Sequence, residues 1–258
     1  MAKKRLVIAN WKTYVETPKA AREFTKALRL RVWSFAGVDV VIAPPFPLIS
    51  AVAEDLKGST LRVGAQSVSA FLPGAHTGDV TAATLKASGA ALAIVGHSER
   101  RAAGETDENV RDALMHTVGA GLRAALCIGE RERDATGAYF DILDKQLSSA
   151  LSDFPKTSAS KLLIAYEPIW AIGKSAEQAM KPDALRETVI FIRKTLVHYL
   201  GREAGLSVPI LYGGSVEPAN VEALLAGGDV SGFLVGHASA VLDSLIEILK
   251  MVAAKKKR

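Results

Sequence analysis

The stretch LLIAYEPIWAIGK, residues 162–174, sets one carboxylate, Glu167, between two apolar runs and follows it with a proline. A carboxylate in such surroundings needs a partner or a raised pKa. Apolar flanks such as Ile172 and Leu234 would raise the pKa of Glu167 toward neutrality, which suits a general base working near pH 7. A salt-bridged structural glutamate is the alternative. His97, in GHSER, can polarise a carbonyl oxygen, although a lone histidine also serves structure. Lys12, in NWK, can hold a positive charge beside a developing enolate oxygen, or simply face solvent. The turns YGGS and VGHAS offer the backbone N–H groups of Gly214, Ser215, Gly236 and His237 as a cradle for an anion, or merely turn the chain. Singly these signals are weak. Together they describe proton transfer next to a carbonyl compound that bears a phosphate.

Such residues act together only if the fold brings them to one rim. Eight short apolar runs recur: RLVIAN (5–10), VDVVIAP (38–44), LRVGAQ (61–66), ALAIVGH (91–97), LRAALCIG (122–129), KLLIAYEP (161–168), VPILYGG (208–214) and GFLVGH (232–237). They are near-continuously apolar, as strands buried on both faces are. Between them lie helical spacings. Leu185, Val189, Ile192, Leu196 and Leu200 form one stripe after Pro182, a residue suited to a first helical turn. Val110, Leu114 and Val118 repeat the spacing, as do Leu242, Leu245, Ile246, Leu249 and Val252, and 80–88 reads as a short helix. Strands alternating with helices predict a parallel sheet, and eight such units in 258 residues fit a closed (β/α)8 barrel. A doubly wound open sheet is the alternative, but the first strand runs into ANWKTY with no G-x-G-x-x-G. No linker or change of composition divides the chain, which reads as one domain, 1–258, with a basic tail from about residue 253. In such a barrel the chemistry sits at the C-terminal ends of the strands. Those ends carry Asn10-Trp11-Lys12, His97-Ser98-Glu99-Arg100, Glu167-Pro168 and the two glycine turns.

Bulk properties narrow the classes. The chain is 49% hydrophobic and 23% charged, the balance of a soluble globular protein. Cys127 is the only cysteine, so an intramolecular disulfide is impossible; one cysteine and 5 histidines also argue against a zinc cluster. The reducing cytoplasm is the compartment this implies. No apolar run reaches the roughly 18–20 residues of a membrane span, and LVIA is too short for a signal-peptide core. The net charge is +5, with 32 basic and 27 acidic residues, and basic residues gather at both ends: Lys3, Lys4, Arg5 and Lys255, Lys256, Lys257, Arg258. With no aromatic residue interleaved, the tail reads as a solvated extension rather than a tether to nucleic acid or membrane. A positive balance also suits an anionic substrate. The chain carries no G-x-x-x-x-G-K-[ST], no H-E-x-x-H and no G-x-S-x-G.

Eight blocks, in order along the chain, resemble the triosephosphate isomerase family. They are NWK (10–12), GAQSVS (64–69), GAHTGDV (74–80), GHSERR (96–101), CIGE (127–130), AYEPIWAIG (165–173), YGGSV (212–216) and FLVG (233–236). The resemblance implies a TIM barrel and an aldose–ketose isomerase of glycolysis and gluconeogenesis. The substrates would be dihydroxyacetone phosphate and D-glyceraldehyde 3-phosphate. It implies that Glu167 moves a proton between C1 and C2 through an enediolate, that His97 (as neutral imidazole) and Lys12 polarise the oxygens, and that Asn10 lies near the substrate. Gly173, Ser215, Gly236 and the N–H that follows, of His237, would hold phosphate. No cofactor and no metal would be needed. Glu99 would pair near Lys12 at a subunit contact. The 65–80 loop, with Thr77 at its tip, would insert into a neighbouring subunit and make a homodimer.

The chain departs from the family pattern at four places. KSAEQAMKP stands where GTGK is usual and is longer, which bears on how a lid after strand six would close. The usual Gly-Gly after strand eight reads Gly236-His237; a positive φ at His237 would be strained, or its imidazole neighbours the phosphate. HSERR runs into a shorter AAGET, and NWK continues with Thr-Tyr in place of Met-Asn, at the dimer contact. The altered lid and His237 motivate a second reading, an isomerase of another short ketose phosphate such as a tetrulose phosphate. A third, a catalytically silent barrel acting as scaffold or nucleic-acid binder, has only the basic ends in its favour and is opposed by the joint presence of Lys12, His97 and Glu167.

Overall fold

The computed structural model describes residues 4–134, 136–174 and 179–253. Eight strands, β1 (Arg5–Asn10), β2 (Val38–Ala43), β3 (Arg62–Ala65), β4 (Ala90–Val95), β5 (Arg123–Ile128), β6 (Leu162–Tyr166), β7 (Ile210–Tyr212) and β8 (Gly232–Val235), close into a barrel in chain order. Every neighbouring pair is parallel. Closure is made by β8 against β1, with Leu6 opposite Gly232 and Ala9 opposite Val235, which excludes the doubly wound sheet. The helices are α1 (Pro18–Arg29), α2 (Ile49–Leu56), α3 (Ala82–Ala87), α4 (Ser98–Ala102), α5 (Asp107–Gly119), α6 (Tyr139–Leu151), α7 (Pro182–Leu200), α8 (Arg202–Ser207), α9 (Pro218–Gly227) and α10 (Leu242–Ala253). Two units thus carry an extra short helix, α4 after β4 and α8 after β6, where the sequence pattern predicts one helix per strand.

Local chemistry starts and orients these helices. Thr17 accepts a hydrogen bond from the Ala20 N–H (3.2 Å) and Pro18 occupies the first turn of α1. Thr106 and Asn109 form a reciprocal cap on α5. The stripe Leu185, Val189, Ile192, Leu196 and Leu200 is buried in α7, as its spacing predicts.

Strand residues alternate between two cores. Leu6, Ile8, Val41, Ala43, Leu92, Ile94, Ala125, Cys127, Leu163, Ala165, Leu211 and Leu234 fill the barrel interior. Their neighbours Val7, Ala9, Val40, Ile42, Ala93, Leu126, Ile164, Tyr166, Tyr212, Phe233 and Val235 pack outward against the helices. This period of two fixes which side of the wall each residue beyond a strand inherits.

The strands end earlier than the apolar runs do. β4 stops at Val95, β6 at Tyr166, β7 at Tyr212 and β8 at Val235. The runs 91–97, 161–168, 208–214 and 232–237 overshoot because composition does not register where the backbone leaves the ladder. Gly96 adopts φ 69° and Pro168 has no N–H to donate. His97, Glu167, Gly214 and Gly236 therefore stand on loops just beyond the strand ends. The basic residues 255–258 lie outside the described residues, as does all of SAEQ (175–178) in the altered loop after β6.

Candidate active site

Inward alternation carries β1 from Leu6 and Ile8 to Asn10, and β6 from Leu163 and Ala165 to Glu167. Asn10 is 4% exposed and Glu167 2%, both at the mouth of the barrel. The Glu167 backbone N–H donates to Ile128 O (2.8 Å), so its Cα is still held by the wall. Two glycines make room for the residue, Gly213 for its side chain and Gly129 for its backbone. A Cβ at Gly213 would lie 2.9 Å from Glu167 Cγ, and one at Gly129 would collide with the Glu167 carbonyl.

The carboxylate is held from two directions. Glu167 Oε1 lies 3.1 Å from His97 Nε2, and Oε2 accepts the Ser98 N–H at 3.1 Å. His97 is 6% exposed and caps α4, its Nδ1 accepting the Glu99 N–H at 3.2 Å. With Nδ1 acting as acceptor, the ring proton belongs on Nε2, facing Glu167. Burial lowers the His97 pKa; the Glu167 charge and hydrogen bond, with Glu99, outweigh it against Lys12, and the net lies above the ordinary 6.5. The Glu99 N–H aimed at Nδ1 is the feature that works against a second ring proton. A proton there would set one donor against another.

Lys12 stands in the left-handed region at φ 46°, one of two such non-glycine residues among those described, the other being Asp229. A lysine held there carries strain on the order of 1–3 kcal/mol and persists because its neighbours over-determine it. Asn10 Oδ1 accepts the Lys12 N–H (3.1 Å), and Gln66 Nε2 donates to Lys12 O (2.8 Å) and Ala43 O (3.0 Å). Lys12 Nζ pairs with Glu99 Oε1 at 2.5 Å, the proximity that the family resemblance implies. Gly236 lies beside the lysine stem, a Cβ there falling 3.4 Å from Lys12 Cε. His237 is not among the positive-φ residues; it begins the turn His237–Ala240, so the condition under which it would be strained is not met.

One cavity of about 310 Å³ brings Asn10, Lys12, His97, Glu167, Ile172, Gly173, Gly214, Ser215, Leu234, Gly236 and His237 together. Glu99 lines an adjoining opening of about 380 Å³ with Lys12, Tyr14, Phe46 and Gln66. Thr77 reaches neither; it sits on the exposed 71–79 stretch of its loop. In the loop after β6, Gly173 adopts φ 72°, and Ser215 Oγ donates to Lys174 O at 2.6 Å. Asn220 Nδ2 holds Ser215 O at 3.0 Å. The expectation about the lid's second half falls mostly on residues outside those described.

The whole chain was compared with known proteins. A family model described as triosephosphate isomerase matches residues 5–252. The chain belongs to the triosephosphate isomerase family. It is 41% identical over 253 residues to the triosephosphate isomerase of Carboxydothermus hydrogenoformans, across 96% of this chain and 98% of that protein. It is 38% identical to that of Geotalea uraniireducens over the same shares, and 38% identical to that of Symbiobacterium thermophilum across 98% of both. All eight blocks that carry the family resemblance fall inside the matched span.

Sequence reasoning on the family blocks passed over three residues that shape this site. Gln66, in GAQSVS, clamps the Lys12 backbone. Gly213, in YGGSV, clears Glu167. Glu130, in CIGE, is fully buried; its Oε1 accepts Tyr166 Oη and Trp170 Nε1, both at 2.8 Å, and fastens the turn Ile169–Ala171 after β6. Each lies inside a quoted block, so the signal was present, but their types gave no chemical anomaly to read.

Proposed function

We propose that the chain interconverts dihydroxyacetone phosphate and D-glyceraldehyde 3-phosphate, the triosephosphate isomerase reaction of glycolysis and gluconeogenesis. The observation that carries the residue assignments is the convergence of Glu167, His97 Nε2–H and Lys12 Nζ on one small cavity that also holds the glycine turns. Glu167 takes the proton from the carbon bearing the hydroxyl. The electron pair of that C–H bond forms the C1–C2 double bond, and the carbonyl pair moves onto oxygen, giving an enediolate. The His97 N–H and the Lys12 ammonium stabilise that oxygen as charge grows on it. Return of the proton from Glu167 to the other carbon completes the isomerisation, with proton shuffling between the two oxygens through His97. Asn10 keeps Lys12 in place. Gly173, Gly214, Ser215, Gly236 and His237 surround the phosphate, remote from the reacting carbons, while Ile172 and Leu234 exclude water.

To do this Glu167 must exchange its present partners, Ser98 N–H and His97, for substrate. Closure of the segment after Pro168 would drive that exchange. A homodimer is part of the proposal: the 65–80 loop, with Thr77, Phe71 and Leu72 exposed, suits insertion beside the Lys12–Glu99 opening of a second copy. No helix among the described residues is long and apolar enough to cross a membrane; a cytoplasmic location is proposed from the family's glycolytic role.

The test is isomerase turnover of both triose phosphates, with the four-carbon homologue in parallel. Glu167→Gln keeps the hydrogen bond from Ser98 yet removes the base, and kcat should fall by at least about 10³-fold. A folded Glu167→Gln protein with wild-type turnover would end the base assignment. A higher kcat/KM for the tetrulose phosphate would replace the triose reading with the second one.

A further inference from the structure

The proposed phosphate end holds one side chain that a backbone cradle does not require. Gly214 and Gly236 can offer only N–H groups, and Ser215 already commits its hydroxyl proton to Lys174 O (2.6 Å). His237 adds an imidazole at the same cavity wall. That ring meets Tyr14 edge-on, with centroids 5.2 Å apart and planes at 82°. Tyr14 is itself anchored, its N–H donating to Trp11 O (3.0 Å) in the turn that contains the left-handed Lys12. Two exposed rings, one following β1 and one following the adjacent β8, thus meet at the cavity rim that Lys12 and the glycine turn also line. The proton-transfer groups Glu167 and His97 use neither ring.

We infer that His237 determines affinity for the substrate phosphate, its imidazole N–H donating to a phosphoryl oxygen while Tyr14 fixes the direction of the ring. The inference rests on the proposed phosphate end. A phosphoryl dianion has more acceptor sites than the free backbone N–H groups of this turn can fill, and a side-chain donor adds a charge-assisted hydrogen bond. Lys12, Lys174 and Glu217 are the other charged groups at this part of the wall, and the Lys12 ammonium is shared with Glu99. The phosphate does not change charge while the proton moves, so His237 acts equally on ground and transition states. Its loss should therefore appear in KM and not in kcat.

The experiment measures kcat and KM for glyceraldehyde 3-phosphate, and the inhibition constant of inorganic phosphate, in five proteins. These are wild type, His237→Phe, His237→Gln, Tyr14→Leu and Ser215→Ala, with circular dichroism melts to confirm folding. His237→Phe keeps a ring against Tyr14 but has no donor; KM and the phosphate constant should rise roughly ten-fold with kcat within about two-fold. His237→Gln restores a donor and should recover part of the loss, and Tyr14→Leu should fall between. His237→Phe and His237→Gln both leaving KM and the phosphate constant unchanged, or a loss confined to kcat, overturns the inference. A Ser215→Ala protein with weakened phosphate binding beside an indifferent His237→Phe would retain the phosphate end and reject His237. A folded wild type that fails to isomerise triose phosphates would instead reject the underlying reading.

Discussion

Gly213→Ala tests whether the base is positioned by the space around it. A Cβ on Gly213 would lie 2.9 Å from Glu167 Cγ, 3.5 Å from Leu234 Cβ and 3.5 Å from Tyr166 O. Carbon atoms prefer roughly 3.5–4.0 Å, so the Glu167 side chain must yield by about 0.6–1 Å. It has little room to do so: its N–H is fixed to Ile128 O, and its carboxylate is held by His97 and Ser98. Misplacing a reacting group by about 1 Å costs on the order of 10²-fold, so kcat should fall roughly 10- to 100-fold, or about 1.4–2.7 kcal/mol of barrier. Overpacking should cost about 1–3 kcal/mol of stability, reduced by about 0.4–1 kcal/mol through the less flexible unfolded chain. At roughly 2–4 °C per kcal/mol, Tm should drop by a few degrees while the protein stays folded in the assay. Steady-state isomerase kinetics and a circular dichroism melt read both effects. Gly119→Ala, where a Cβ meets nothing within 4 Å at the end of α5, is the control and should leave kcat unchanged. A folded Gly213→Ala protein with kcat within two-fold of wild type would refute the claim that glycine is needed to seat the base.

Three further outcomes follow from the same geometry. In Glu167→Gln the leading upward influence on His97 is gone while burial, which lowers its pKa, remains, so an NMR titration of the ring should move down from the wild-type position. In wild type the raised folded-state pKa means that His97 contributes stability fully present below its unfolded pKa of about 6.5. That contribution is lost as pH rises through the higher folded value; denaturant unfolding across that window should show the loss, and Glu167→Gln should abolish or invert it. Identical His97 titrations in the two proteins would remove the carboxylate as the cause. Gln66→Leu cuts both carbonyl anchors beneath Lys12, and relaxation from φ 46° should lower kcat roughly ten-fold; unchanged kinetics would mean that Asn10 alone holds the lysine.

Much of the barrel was legible because parallel strands buried on both faces leave continuous apolar runs, and eight of them can be counted. The strand ends were not, since YEP, YGG and VGH look as strand-like as the residues before them. Lys12, His97 and Glu167 were legible as anomalies, polar types set against apolar runs. Gln66 and Gly213 were not anomalous: an amide in a loop and a glycine in a turn have ordinary explanations, and their roles appear only when Lys12 and Glu167 stand beside them.

Glu130 marks the deeper limit. It and Glu167 are both buried glutamates just past the ends of neighbouring strands. Composition cannot tell them apart, but phase can. From Cys127, which faces the axis, three steps bring Glu130 to the outer side of the wall, where Tyr166 and Trp170 donate to it. From Leu163 and Ala165, which also face the axis, even steps bring Glu167 inside, among His97, Lys12 and the glycine turns. An outward carboxylate meets helix-side and lid donors and becomes an anchor; an inward one meets the open cavity and is free to take a proton. The period of two is written in the sequence. Its phase becomes readable only when one residue of each strand is known to face the axis, which the packed interior of Leu6, Cys127, Leu163, Ala165 and their neighbours supplies.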